Sequence, residues 1–252
     1  QTPASSSSSS SRPRPPPVAG RRIKVLCLHG TAGSPGVLKQ QLAMLIRACS
    51  DEAEFVFHGG HLECTKDDPV IGKQVELVQP YFPREVLTQY ALPVRGHKGT
   101  DGDPADPDTW RSYDGLEEAM ERVQASLAQH QPVDVVLGFS QGANLASVAA
   151  AQASRGQGPP LHCVVHLCTS LPGWTRHGPF QSLFQEPLSV PALVVKGAKD
   201  TVATGNDQVA SLYSTVERLE HSSEHRPLPR EAKESQEFVQ LVKSFIVRHC
   251  RG

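Results

Sequence analysis

A serine with glycines two residues to either side, Gly138-Phe139-Ser140-Gln141-Gly142, is the group in this sequence best placed to do chemistry. G-x-S-x-G is the pattern of a nucleophile elbow, a tight strand-to-helix turn that holds a hydroxyl out toward an acyl carbonyl. Its glycines let neighbouring backbone pass where a Cβ would collide, and the helix that follows points its positive end at the serine. A serine hydroxyl is a weak nucleophile, so it needs a base, and the base needs an orienting carboxylate. With this elbow the partners follow in the order Ser, Asp, His. Asp200, in Gly197-Ala198-Lys199-Asp200-Thr201-Val202, stands just past an apolar run and is the candidate acid; Asp207 is its rival. His225 is the candidate base, far enough past the last apolar run to reach back to Ser140. His221 lies closer to that run and reads as structural. A tetrahedral intermediate also needs backbone donors. These are expected from the N–H of Gln141 and of Thr31, in His29-Gly30-Thr31-Ala32-Gly33, with Ala32 as a substitute. The His29 side chain reads as structural and not catalytic; His29, Trp110 and Tyr113 are candidates for a substrate pocket.

The elements that must hold these residues follow from hydrophobic pattern. Apolar runs at Ile23 to His29, Phe55 to Phe57, Val133 to Phe139, Leu161 to Leu167, Ala192 to Lys196 and Val216 to Leu219 predict buried strands. Helices are expected from Leu38, Leu42, Leu45 and Ile46; from Leu116, Met120, Val123 and Leu127; from the alanine-rich Gln141 to Ala153; and at Asp207 to Tyr213. A last helix, Glu231 to His249, carries Phe238, Leu241, Val242, Phe245 and Ile246 on one side. Strands alternating with helices predict an α/β fold, a mostly parallel sheet covered on both faces, with function at the carboxyl ends of the strands. The expected organisation is a disordered Ser/Pro/Arg-rich tail over residues 1–22 and a single α/β-hydrolase domain over 23–252, interrupted by an irregular insert at about 58–109.

Other clusters read more simply. His58, His61 and Cys64 have a spacing that could suit a metal, but a polar loop accounts for them, and no metal or cofactor is expected. Asp101, Asp103, Asp106 and Asp108 lack the terminal Glu of a calcium loop. Gly96-His97-Lys98-Gly99-Thr100 is not a P-loop. Tyr81, Phe82, Tyr90 and Trp110 could line an acyl pocket or lid.

Bulk composition sets the limits. The chain of 252 residues has a formal net charge of -1, 38% hydrophobic and 20% charged residues. That balance gives no overall field for nucleic acid or a membrane surface, and no run of about 18 apolar residues predicts a membrane span. Six cysteines without a C-x-x-C pair read as reduced core thiols, so a cytoplasmic location is expected. The tail is serine-rich, arginine-bearing and free of Asp or Glu, so an organellar transit peptide is the alternative.

Taken together, these residues resemble the FSH family of serine hydrolases, over about Ile23 to Ile246. Leu26-Cys27-Leu28-His29-Gly30 resembles the family's opening strand. Trp110 to Tyr113 with Gly115-Leu116-Glu117 resembles the helix start before its elbow. Leu137 to Ala143 resembles the elbow itself, and Gly197 to Val202 the acid motif. The elbow string is similar also to acyl-protein thioesterases and carboxylesterases. The resemblance implies hydrolysis of a small-molecule carboxylic ester or acyl thioester, no cofactor, and the triad Ser140, Asp200 and His225. Two stretches depart from it. The base lies in Ser223-Glu224-His225-Arg226-Pro227, where Glu224 could raise the pKa of its neighbour; and His58-Gly59-Gly60-His61 follows the second strand. The alternative is a non-catalytic ligand- or partner-binding protein on the same scaffold.

Overall fold

The computed structural model describes residues 15–95, 110–169, 178–203 and 205–252, with the side chains of 93–95 and 110–113 left aside. Six strands form a wholly parallel sheet: β1 (Ile23–Leu28), β2 (Ala53–His58), β7 (Val135–Phe139), β8 (Cys163–Leu167), β9 (Ala192–Gly197) and β10 (Val216–His221). Their order is β10-β9-β8-β7-β1-β2, so β7, which leads into Ser140, lies near the middle. Central parallel strands are buried on both faces, which is why they read as unbroken apolar runs.

The pleat assigns alternate residues to the two faces. Ile23, Val25 and Cys27 of β1, Leu137 of β7 and Leu193 and Val195 of β9 join the core beneath α1 (Pro35–Gln41), α2 (Ala43–Ala48) and α7 (Ala232–Arg251). Leu26 and Leu28, Val136 and Val194 face α4 (Leu116–Gln129), α5 (Gln141–Ser154) and α6 (Asn206–Ser211). Each fully buried side chain of this kind contributes about 1.5–3 kcal/mol. The helix seen in Glu231 to His249 packs through Phe238, Val242, Phe245 and Ile246, whereas Leu241 is 53% exposed, on the outer side of the stripe.

Two expectations of organisation are corrected. The tail does not stay free as far as Arg22. Val18 is buried and its N–H donates to Cys250 O at 2.7 Å, while Arg21 grips Asp134 with two hydrogen bonds of 2.6 and 2.7 Å. Residues 1–14 lie outside the described residues. Nor is 58–109 uniformly irregular. It holds β3 (Leu62–Glu63), α3 (Gly72–Val78), β4 (Thr88–Gln89) and β5 (Leu92–Arg95), the last antiparallel to β6 (Trp110–Asp114). Two-residue strands and a two-turn helix are too short to show a period, so pattern could not find them. The aspartates 101–108 and residues 96–100 lie outside the described residues.

Candidate active site

Ser140 is the single residue between β7 and α5, and its φ of 54° and ψ of -118° lie where an L-residue is strained. Two close approaches make that turn possible. A Cβ on Gly138 would lie 2.2 Å from Gly142 O, and one on Gly142 would lie 2.2 Å from Leu28 O. The elbow is therefore folded against itself and against the end of β1, and the spare N–H groups of α5's first turn, Gln141 among them, face the carboxyl edge of the sheet.

Ser140, His225 and Asp200, drawn from three different loops, form one hydrogen-bonded chain. His225 Nε2 is 2.9 Å from Ser140 Oγ, and His225 Nδ1 is 2.8 Å from Asp200 Oδ2. Asp200 follows β9 with its side chain wholly withdrawn from solvent. The amides of Val202 and Ala203 each donate to its Oδ1 at 2.8 Å, leaving Oδ2 for the imidazole. Burial pushes the Asp200 carboxyl up, but the His225 hydrogen bond, the Ala203 and Val202 amides and the His225 charge outweigh it, bringing its pKa to about 2. The carboxylate is then acceptor only, so Nδ1 must carry the proton. In the neutral ring Nε2 is left as an acceptor, and Ser140 donates to it.

The rivals are placed elsewhere. His221 is buried; its Nδ1 accepts from Ser223 N–H at 3.2 Å, so its Nε2 donates to Arg226 O at 3.0 Å. It moulds the loop that presents His225. Gly197 lets that loop pass: a Cβ there would lie 2.5 Å from both Ser223 O and Glu224 O. Asp207 is exposed in the first turn of α6. The Glu224 carboxylate lies 3.5 Å from Arg230 on the surface and takes no part in the hydrogen-bonded chain.

The loop after β1 brushes the serine. A Cβ on Gly30 would meet Ser140 Cβ at 3.0 Å, and Ala32 takes a φ of 52°. Thr31 lies between them, half-buried. The loop is tied down by Gly33 and Thr88, whose amides and carbonyls exchange two hydrogen bonds. His29 does not line a pocket. It is buried, and burial lowers its pKa to about 4, against the pull of Gly30 O. Its neutral ring donates from Nδ1 to Gly30 O at 2.7 Å and accepts Gly60 N–H at Nε2 at 2.9 Å.

Tyr90 is not a pocket wall either. It is buried, its hydroxyl accepting from His29 N–H at 3.0 Å and donating to His58 O at 2.8 Å. Gln141 reaches the same strap through its side chain, accepting Tyr90 N–H and donating to Ala91 O, each at 2.7 Å. Sequence reasoning assigned Gln141 only its backbone and missed this brace, because a contact 51 residues away leaves no local signal. Tyr81 is 81% exposed, and Phe82 packs on the small cluster of Val75 and Leu87. Trp110 and Tyr113 lie in β6 with side chains outside the described set. Cys64 Sγ turns to Leu62 O, and among the described residues His58, His61 and Cys64 form no metal-ligand grouping.

Residues 19–238 match the serine hydrolase (FSH1) family. This chain belongs to that family. Among its relatives, esterase OVCA2 of Mus musculus is 32% identical over 52% of this chain and 58% of its own length. Esterase OVCA2 of Homo sapiens is 27% identical over 90% of this chain and 98% of its own length. The chain thus spans little more than half of the mouse relative and nearly all of the human one. SOBER1 of Arabidopsis thaliana has the same fold, with a TM-score of 0.54 and 16% identity over 91% of this chain and 99% of its own. Membership in this family, with esterase-named relatives, agrees with the serine hydrolase and the α/β-hydrolase fold expected from the elbow. Among the described residues, no helix is long and apolar enough to cross a membrane.

Proposed function

We propose that this protein hydrolyses a small-molecule carboxylic ester or acyl thioester through an acyl-enzyme on Ser140. The observation that carries the reading is the unbroken Ser140–His225–Asp200 hydrogen-bond chain, 2.9 and 2.8 Å. His225 Nε2 takes the Ser140 proton as Oγ attacks, and Asp200, already ionised, holds the imidazole in the required tautomer and offsets the charge it gains. The oxyanion is received by the amides of Gln141 and Thr31, each such donor lowering the barrier by about 3 kcal/mol. His225 then protonates the leaving alcohol or thiol, and a water activated at the same Nε2 releases the acid. No cofactor enters this scheme. The six buried cysteines support a reducing, cytoplasmic setting.

The alternative of a binding protein on the same scaffold draws on the irregular Ser223–Pro227 loop and the 58–109 insert; against it stands His225 Nε2, 2.9 Å from Ser140 Oγ. The test is a fluorophosphonate probe, followed by p-nitrophenyl esters and acyl-CoA thioesters of graded chain length. Native protein is expected to label and to turn over at least one ester, and Ser140→Ala to do neither. Native protein that folds and does not label would overturn the reading.

A further inference from the structure

A third ionisable group sits against the triad. Cys168 directly follows β8, with a φ of 50° and no solvent exposure. Its thiol donates to Arg226 O at 3.1 Å and lies 3.9 Å from His221 Nε2. Its sulfur, a carboxylate oxygen of Asp200 and an imidazole nitrogen of His225 all lie within 4.8 Å of one another. Nothing in the hydrolytic scheme uses the sulfur. We propose that Cys168 Sγ, Asp200 Oδ2 and His225 Nδ1 are an inhibitory site for a soft divalent cation of the Zn2+ class, which switches the triad off by occupying its acid–base joint.

The donor set is the first reason. One thiolate, one imidazole and one carboxylate suit zinc, which takes such ligands at about 2.0–2.3 Å. A tetrahedral ion with those bonds spaces its ligand atoms roughly 3.3–3.7 Å apart, so the sulfur need close by no more than about 1 Å while the 2.8 Å Asp200 Oδ2–His225 Nδ1 pair opens by about 0.5 Å. Charge is the second. Thiolate plus carboxylate cancel a dication, so the occupied cluster is neutral and cheap to bury. Preorganisation is the third. Asp200 Oδ1 is pinned by the amides of Val202 and Ala203, which leaves Oδ2 to turn from the imidazole to an ion. His225, with its side chain 21% exposed, is the member through which an ion reaches the cluster.

The proton balance explains the inhibition. The Cys168 thiol donates its hydrogen to Arg226 O, so without an ion it is held protonated. On binding, the thiol proton leaves to solvent and the Nδ1 proton moves to Nε2, freeing the Nδ1 lone pair for the metal. Nε2 then carries a hydrogen and cannot accept from Ser140 Oγ, so the serine loses its base.

This inference rests on the proposed triad, and the test separates the two. Full-length protein is titrated with Co2+ to read the thiolate–cobalt charge-transfer absorption, which needs no substrate, and with Zn2+ against p-nitrophenyl acetate hydrolysis. The band is expected in native protein and absent from Cys168→Ser. Zn2+ inhibition, reversible by EDTA, is expected to weaken roughly tenfold or more in Cys168→Ser relative to that variant's own metal-free rate. Should Cys168→Ser not fold, Asp200→Asn keeps the thiol and is expected to bind Co2+ roughly tenfold or more weakly. No band in native protein, or Zn2+ inhibition unchanged in Cys168→Ser, or Co2+ affinity unchanged in Asp200→Asn, overturns the metal site. If no ester is turned over, the proposed function fails while the Co2+ result still decides the metal site.

Discussion

At the scale of single residues, Asp200 does two things with one carboxylate. Oδ1 closes its own turn on two amides, and Oδ2 fixes the His225 tautomer. Asp200→Asn keeps the shape but removes the charge that holds the proton on Nδ1. We expect kcat to fall about 10^3–10^4-fold with KM little changed, measured on whichever ester the native protein turns over best. Stability should follow the same group. Its pKa is 3.8 in the unfolded chain and about 2 when folded, so folding favours the ionised form. The stabilisation is complete above the unfolded value and is lost as pH falls from about 4 through about 2. Denaturation curves of native protein and Asp200→Asn, taken across that window, should therefore converge toward the acid end.

At the scale of elements, the elbow and the loop after β1 are one packed unit. Gly142→Ala places a methyl 2.2 Å from Leu28 O and 2.5 Å from His29 O, both backbone atoms that cannot step aside. We expect destabilisation by about 3 kcal/mol or more, seen as a lower melting temperature and loss of probe labelling. Tyr90→Phe tests the brace more gently. It strips a partner from His29 N–H and His58 O, costing about 1–3 kcal/mol. If that bond holds the Thr31 amide in place, kcat should fall while KM changes little, because an oxyanion donor acts mainly in the transition state.

At the scale of the whole molecule, the segment before β1 closes the far edge of the fold. Val18 N–H bonds Cys250 O, Arg251 reaches the carbonyls of Val18 and Arg21, and Arg21 pairs with Asp134 beside the start of β7. This end of the sheet lies opposite Ser140, so a defect there should cost stability and not chemistry. Arg21→Ala is expected to lower unfolding free energy by about 1–2 kcal/mol in urea with kcat unchanged. A simultaneous fall in kcat would show that the two ends are coupled.

What the sequence determined by itself was whatever is carried by local pattern. The five residues around Ser140 announce a strand-to-helix turn because glycine is required where backbone touches backbone. The apolar runs announce parallel strands because burial on both faces leaves no polar alternation. Asp200 and His225 could be proposed from their place along the chain, Asp200 just past such a run and His225 far enough beyond the last one to reach back. Tertiary structure decided everything that depends on chain segments meeting. It supplied the geometry by which His225, beyond β10, meets Ser140 while His221 closes the strand, through a glycine at 197 that lets the loop cross. It turned His29 and Tyr90 from candidate pocket residues into buried braces, drew Val18 and Arg21 out of an expected free tail, and set Cys168 against the triad. Contacts between residues tens of positions apart follow from packing in three dimensions, and no period in the sequence records them.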